Sequence, residues 1–416
     1  MNRPRHFLMN LLAAAAWSII GQSATAGDPP QIVEPGAEYR IEVTTVVKGY
    51  DGRTCWMHAR AGTIPPGAPG NSSATPVVVM TLQKLQVDRS DVYYGLNDFR
   101  TDDLGQTWVG PTEHASLSRR APRDDVEVVP CDFWPTWHAK TGKLLGTGAT
   151  FWYSASANDH LKNGPSETPY SVYDPLRKEW SVWKTLEMPA ERKFEFARAG
   201  CTQRVDLPNG DILLPIYFRP ADQQHERNQV TICRCRFDGQ TLQYIEHGDE
   251  LSLEIERGLA EPSLVQLGQR FFLTLRNDQR GYVTTSNDGL HFEPIRPWKF
   301  DDGAELGSYN TQQHWVKHGD QLYLVYTRRG AGNDRVFRHR APLFMAQVDP
   351  QRLVVLRATE RILIPERGAA VGNFGITEVS ADETWVIATE CMMPGKPEQF
   401  GSDNSVFVVK LRWERS

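Results

Sequence analysis

Helical periodicity is nearly absent from this sequence of 416 residues, which excludes helix bundles and alternating α/β architectures. A basic excess is missing too. The formal charge is −5, which opposes binding to nucleic acid through bulk charge, so an acidic ligand would need a local cluster of arginines. No paired CxxC or HxH spacing suggests zinc, and no metal or organic cofactor is implied. No Ser/Gly-rich or Pro-rich linker divides the chain. The loosest stretch, residues 62–76, lies between two apolar runs and reads as a long loop. Apart from residues 7–20, no segment is long and apolar enough to approach a membrane span.

That one apolar segment reads as the centre of a secretory leader. Arg3 and Arg5 precede it, and Ala24-Thr25-Ala26 follows with a small-x-small cleavage pattern. The mature chain is expected to begin near Gly27, to be secreted or periplasmic, and to form one domain over residues 27–416. Losing residues 1–26 removes two arginines and no acids, leaving a charge of −7. The competing reading is a membrane anchor, opposed by the short run and by Asn10 and Ser18 within it. Six cysteines (Cys55, Cys131, Cys201, Cys233, Cys235 and Cys391) leave structural thiols or one or two disulfides open, and spacing does not fix a pairing.

What the sequence does contain is a recurrence of short β-rich runs, such as residues 77–82 (VVVMTL), 271–275 (FFLTL) and 322–326 (LYLVY). Two kinds of turn alternate between them. One is a tight hairpin, at residues 141–143, 208–211, 267–269, 318–320 and 380–383. The other carries an Asp and ends on a large apolar residue, at residues 101–108, 174–180, 238–244, 286–292 and 349–353. One period spans roughly 50–70 residues, the length of a four-stranded propeller blade. With a further inner hairpin joining residues 56–61 to 77–82, the count predicts an all-β, six-bladed β-propeller of four-stranded antiparallel blades. Residues 405–413 are expected to close the ring against residues 39–47, removing exposed sheet edges. A seven-bladed ring or a pair of sandwiches is the alternative.

Residues 101–108 (TDDLGQTW) match the Asp box of the sialidase superfamily, and residues 286–292 (SNDGLHF) match it one residue shorter. The chain resembles that superfamily over most of its mature length, as a pattern of motifs. The resemblance implies that Glu261, in GLAEPSLVQL, is the catalytic glutamate and Arg276, ending the next run, a carboxylate-binding arginine. It likewise implies Arg60 as the first arginine, Asp88 or Asp91 as the acid/base aspartate, and Arg340 as the third arginine with Arg338 in reserve. One departure stands out. Where the family carries a tyrosine nucleophile this chain has Asn373 and Phe374, and Tyr309 is the nearest substitute.

Converging guanidinium groups would bind a carboxylate by charge-assisted bonds, while the glutamate supports a nucleophile and an aspartate protonates the leaving oxygen. A second polar group, Asn310 with Gln312 and His314, reads either as catalytic or sugar-binding or as a hydrogen-bonded strand start. Arg198 is a further candidate anion contact, and Trp134 or Trp137 reads either as stacking on a sugar or, the commoner fate of Trp, as core packing. The expectation is a hydrolase that releases a terminal acidic sugar from a glycan. The alternatives are a non-catalytic carbohydrate-binding propeller and a polysaccharide lyase with His314 or Tyr309 as base.

Overall fold

The computed structural model describes residues 23–25, 27–33, 38–161, 165–221 and 227–414. The leader expectation falls mostly on residues 1–22, outside the described residues. Among the described residues no helix is long and apolar enough to cross a membrane.

The described strands form six antiparallel sheets, met in chain order and arranged as a β-propeller. The first comprises Thr54–Ile64, Val77–Gln86, Tyr93–Thr101 and Thr107–Glu113. The second is built on Val126–His138, Lys143–Ser154 and Pro169–Asp174, and the third on Asp211–Arg219, Gln229–Phe237 and Leu242–His247. Ala260–Leu267, Arg270–Arg276 and Tyr282–Ser286 make the fourth. His314–His318, Gln321–Tyr326 and Leu343–Asp349 make the fifth. The sixth joins Phe374–Ser380, Glu383–Thr389 and Ser405–Trp413 to Tyr39–Lys48.

The sheets are not uniform. The outer strands Glu179–Trp180, Arg296–Pro297 and Val354–Val355 have two residues each, and Pro297 has no N–H to extend its ladder. The inner strand of the third sheet is split into Phe196–Arg198 and Val205–Asp206.

Ring closure follows from pairing between distant parts of the chain. Tyr39 lies opposite Trp413 and Lys48 opposite Ser405. Strand alternation then sends Phe407, Val409, Leu411 and Trp413 into one core, with Val316, Tyr323 and Val325 of the fifth sheet. Val406 and Val408 enter the next core, with Val78, Met80, Phe99 and Trp108 of the first. Each such side chain contributes about 1.5–3 kcal/mol when fully buried. Asn404 spans the same seam. Its Oδ1 accepts the Trp56 N–H at 2.6 Å, and its Nδ2 donates to the carbonyls of Trp56 at 3.0 Å and Glu390 at 2.6 Å.

The Asp-bearing turns lie on the outside. Asp103 accepts the Thr107 N–H at 2.9 Å and the Thr107 hydroxyl at 2.6 Å, and Thr101 Oγ1 accepts the Gly105 N–H at 2.8 Å. Gly105 has φ +76°, and a Cβ there would meet the Trp385 ring at 3.2 Å. The turn thus seats the buried Trp108 against Trp385 of the sixth sheet, 6.0 Å between ring centroids.

Candidate functional site

At one mouth of the ring the sheets surround a cavity of about 450 Å³. A local backbone device supplies much of its lining. In five of the six sheets the inner strand, or the segment leading into it, carries one non-glycine residue in the left-handed region: His58, Asp132, Cys201, Glu261 and Asn310. Three of these lie where the ladder register slips, between Met57 and Arg60, opposite Thr147–Ala149, and between Ala260 and Ser263. A bulge of this kind re-aims a side chain at a cost of order 1–3 kcal/mol, and such outliers cluster at functional sites.

The fourth and fifth sheets bring three arginines together. Arg276 lies opposite Ala260 in the ladder, and its Nη1 is ion-paired with Glu261 Oε1. Its Nη2 donates to Asn310 Oδ1 at 2.8 Å and to Asp278 Oδ1 at 3.3 Å. Arg340 donates through Nε to the Asn310 carbonyl at 3.1 Å, so Asn310 holds both arginines. Arg338 completes the group. Burial followed by the Arg276 charge pulls the Arg340 guanidinium down to about 10 and lowers that of Arg338. Burial alone would also lower Arg276, but the Glu261 and Asp278 carboxylates outweigh it and raise it. Glu261 Oε2 accepts no hydrogen bond from the described residues.

A second charged cluster forms the floor. His58 Nε2 lies 3.1 Å from Asp132 Oδ1, and the Cys201 thiol donates to the same oxygen at 2.9 Å. Arg60 lies beneath, donating to Cys201 Sγ at 3.0 Å with its Nη2 3.8 Å from Asp132. Burial works against the Asp132 carboxylate, but His58, Arg60, the Cys201 bond and Arg198 together hold it below the usual range. Burial lowers His58, with Asp132 opposing. Asp91 lines another wall, where it accepts from Ser90 Oγ at 3.0 Å and faces the Tyr93 hydroxyl at 3.4 Å.

Of the residues singled out from the sequence, Asp91, Glu261, Arg276, Arg338, Arg340 and Arg198 line this one cavity. Four others do not. Arg60 has no exposed surface, so its expected grip on a ligand is replaced by a contact with Cys201 and Asp132. Asp88 is on an exposed turn, where its carboxylate accepts from Gln86 Nε2 at 2.7 Å. Tyr309 lies outside the lining, its hydroxyl on His339 Nδ1 and its ring under Arg329. His314 is fully buried, with Ser263 Oγ at 2.7 Å and the rings of Trp134 and Phe374 at 4.7 and 4.8 Å. Asn310 also lies off the lining and acts through the arginines it holds. Trp134 is buried core, and Trp137 lines a second hollow at the other end of the ring.

The segment that carries no tyrosine has a packing reason for its glycines. A Cβ on Gly375 would meet Arg60 Cγ at 2.6 Å, and one on Gly372 would meet Arg340 Cδ at 3.1 Å. The phenols that reach the cavity are Tyr93 and Tyr217 instead. The sequence reading missed them, together with His58, Asp132 and Cys201. All six cysteines are free thiols. Among the described residues no group of three or more His, Cys, Asp or Glu is placed to hold a metal ion.

No protein-family profile matches the chain, and no curated protein matches its sequence. Solved structures do match. A protein of unknown function from Dyadobacter fermentans is 14% identical with a TM-score of 0.59, over 89% of this chain and 99% of that one. The Hadza microbial sialidase Hz136 is 12% identical with a TM-score of 0.59, over 86% of this chain and 66% of its own. The K499G mutant of NanB sialidase from Streptococcus pneumoniae is 11% identical with a TM-score of 0.56, over 88% and 70%. At these identities the likeness establishes the fold: this chain is an all-β propeller of the arrangement that sialidases share.

Proposed function

We propose that this protein is an exported glycoside hydrolase that releases a terminal acidic sugar from a glycan. The six sheets are read as six blades and the turns at residues 101–108 and 286–292 as Asp boxes. One observation carries the reading: Arg276, paired with Glu261, lines the same cavity as Arg338, Arg340 and Asp91. The arginines bind the sugar carboxylate. Glu261, ion-paired with Arg276, takes the proton of the attacking water or hydroxyl. Asp91 gives its proton to the leaving oxygen as the glycosidic C–O bond breaks. Asp132 is unsuited to that donation because four neighbours hold it ionised. The lyase alternative is weakened by the positions of His314 and Tyr309, both off the cavity.

Fluorogenic glycosides of a sialic acid, a uronic acid and a neutral hexose test the proposal with the purified mature chain. Release from an acidic glycoside, lost in Glu261→Gln, is expected. Release from the neutral glycoside alone, or none from any, would overturn it.

A further inference from the structure

The cavity lining holds six arginines (Arg198, Arg219, Arg257, Arg276, Arg338 and Arg340) against three carboxylates, Asp91, Asp132 and Glu261, in a chain whose formal charge is −5. One acidic sugar engages three of those arginines in the proposal above. Two of the remaining three lie together on the third sheet. There Phe196 is opposite Arg219 and Arg198 opposite Tyr217, so all four side chains share one face, and all four line the cavity. The Arg219 guanidinium lies 4.2 Å from the Phe196 ring centroid, and that of Arg198 lies 4.8 Å from Tyr217 and 5.8 Å from Phe196. Aromatic faces fix the planes of both groups, and Arg219 Nη1 donates to the Pro220 carbonyl at 3.4 Å. Arg198 donates to Ser166 Oγ at 3.4 Å and has no carboxylate at ion-pair distance among the described residues. Arg276, by contrast, is paired with both Glu261 and Asp278.

We infer that Arg198 and Arg219 form a second anion subsite, and that the substrate is a doubly acidic glycan with a carboxylate or sulfate on the unit next to the terminal acidic sugar. The inference deepens the hydrolase reading and rests on it for the identity of the first sugar. A cavity of about 450 Å³ lies within the usual size for a small-molecule site, so both charges can be enclosed. A second charge-assisted contact in a partly buried site is expected to strengthen binding about tenfold.

Calorimetric titration of the full mature chain tests this with three probes: lactose bearing one sialic acid, an α2,8-linked disialyl lactose, and a sulfated sialyl lactose. The wild type is expected to prefer at least one doubly charged probe over the singly charged one by about tenfold. The arm that shows the preference tells carboxylate from sulfate. In Arg198→Gln/Arg219→Gln the preference should fall to about one, and Arg198→Lys, which keeps the charge, should restore part of it. Equal binding of all three probes by the wild type, or a preference that survives the double variant, would overturn the subsite. The readout is binding, so it separates the two proposals. A chain that cleaves no acidic glycoside but shows the Arg198-dependent preference fails only as a hydrolase. One that cleaves singly charged substrates without the preference fails only here.

Discussion

Arg276 reaches Glu261 across a β-bulge whose backbone holds the glutamate at φ 44°, and the pair has only 5% and 13% of its side-chain surfaces exposed. Neither partner is dispensable to the other. Replacing Arg276 with Met would leave an uncompensated carboxylate, and breaking such a pair costs about 3–5 kcal/mol. A denaturant-unfolding series on Arg276→Met should show that loss, and an unchanged midpoint would mean the carboxylate finds another partner.

Glu261→Gln keeps the shape and much of the hydrogen bonding while removing the base. Under the proposed reaction, turnover of an acidic glycoside should fall by about 10²–10⁴. Binding of the free acidic sugar should persist, because Arg338 and Arg340 remain. Turnover within twofold of wild type would take Glu261 out of the chemistry.

Asn404 predicts a different phenotype. It is fully buried, and its side chain makes three hydrogen bonds, two of them to Trp56 across the seam between the first and last sheets. Asn404→Ala leaves the Trp56 N–H without its acceptor inside the seam, and each unsatisfied buried group costs about 1–3 kcal/mol. A loss of at least about 2 kcal/mol is expected, measured by equilibrium unfolding. A milder effect would show that ladder pairing alone closes the ring.

The sequence displayed the architecture because strand alternation and turn chemistry are local. The hairpins and Asp turns at residues 141–143, 267–269, 101–108 and 286–292 lie where the strands reverse, and residues 405–413 do pair with residues 39–47. The part of the cavity that was legible came through the Asp-box resemblance, which pointed to Asp91, Glu261, Arg276, Arg338 and Arg340. His58, Asp132 and Cys201 were not legible, because no motif marks them and only the folded backbone, left-handed at each, turns them to the cavity. Arg60 misled for a related reason. The bulge at Met57–Arg60 turns His58 to the cavity and leaves Arg60 beneath it, packed on Gly375.

Acid should weaken the fold through its Asp turns. Burial would raise the Asp51 carboxyl, but the Thr54 hydroxyl and the Thr54 and Arg53 N–H groups hold it at about 2. Asp103 is lowered in the same way, burial opposing and Thr107 and Thr101 winning. A depressed carboxyl stabilises the folded state above its unfolded value and loses that contribution as pH falls through the folded one. For Asp51 the window runs from about 3.8 to about 2. The Asp51→Asn/Asp103→Asn variant should therefore lose stability less steeply than wild type below pH 4, as followed by thermal midpoints. Parallel curves would exclude these turns as the source.

Two buried histidines predict a second slope nearer neutrality. Burial lowers His314 well below its ordinary value, the Arg60 charge adding to the effect, and burial likewise lowers His58 against the pull of Asp132. The unfolded chain takes up protons on both near pH 6.5 while the folded chain does not, so the unfolded state binds more protons and stability falls as pH drops below that point. Each group adds a slope of up to about 1.4 kcal/mol per pH unit until its folded value is reached. His314→Gln removes one of the two. Its stability at pH 7.5 will differ from wild type through the lost Ser263 contact, so the informative quantity is the slope. Denaturant midpoints between pH 7.5 and 5 should decline less steeply in the variant, and identical slopes would show that His314 takes up its proton without unfolding.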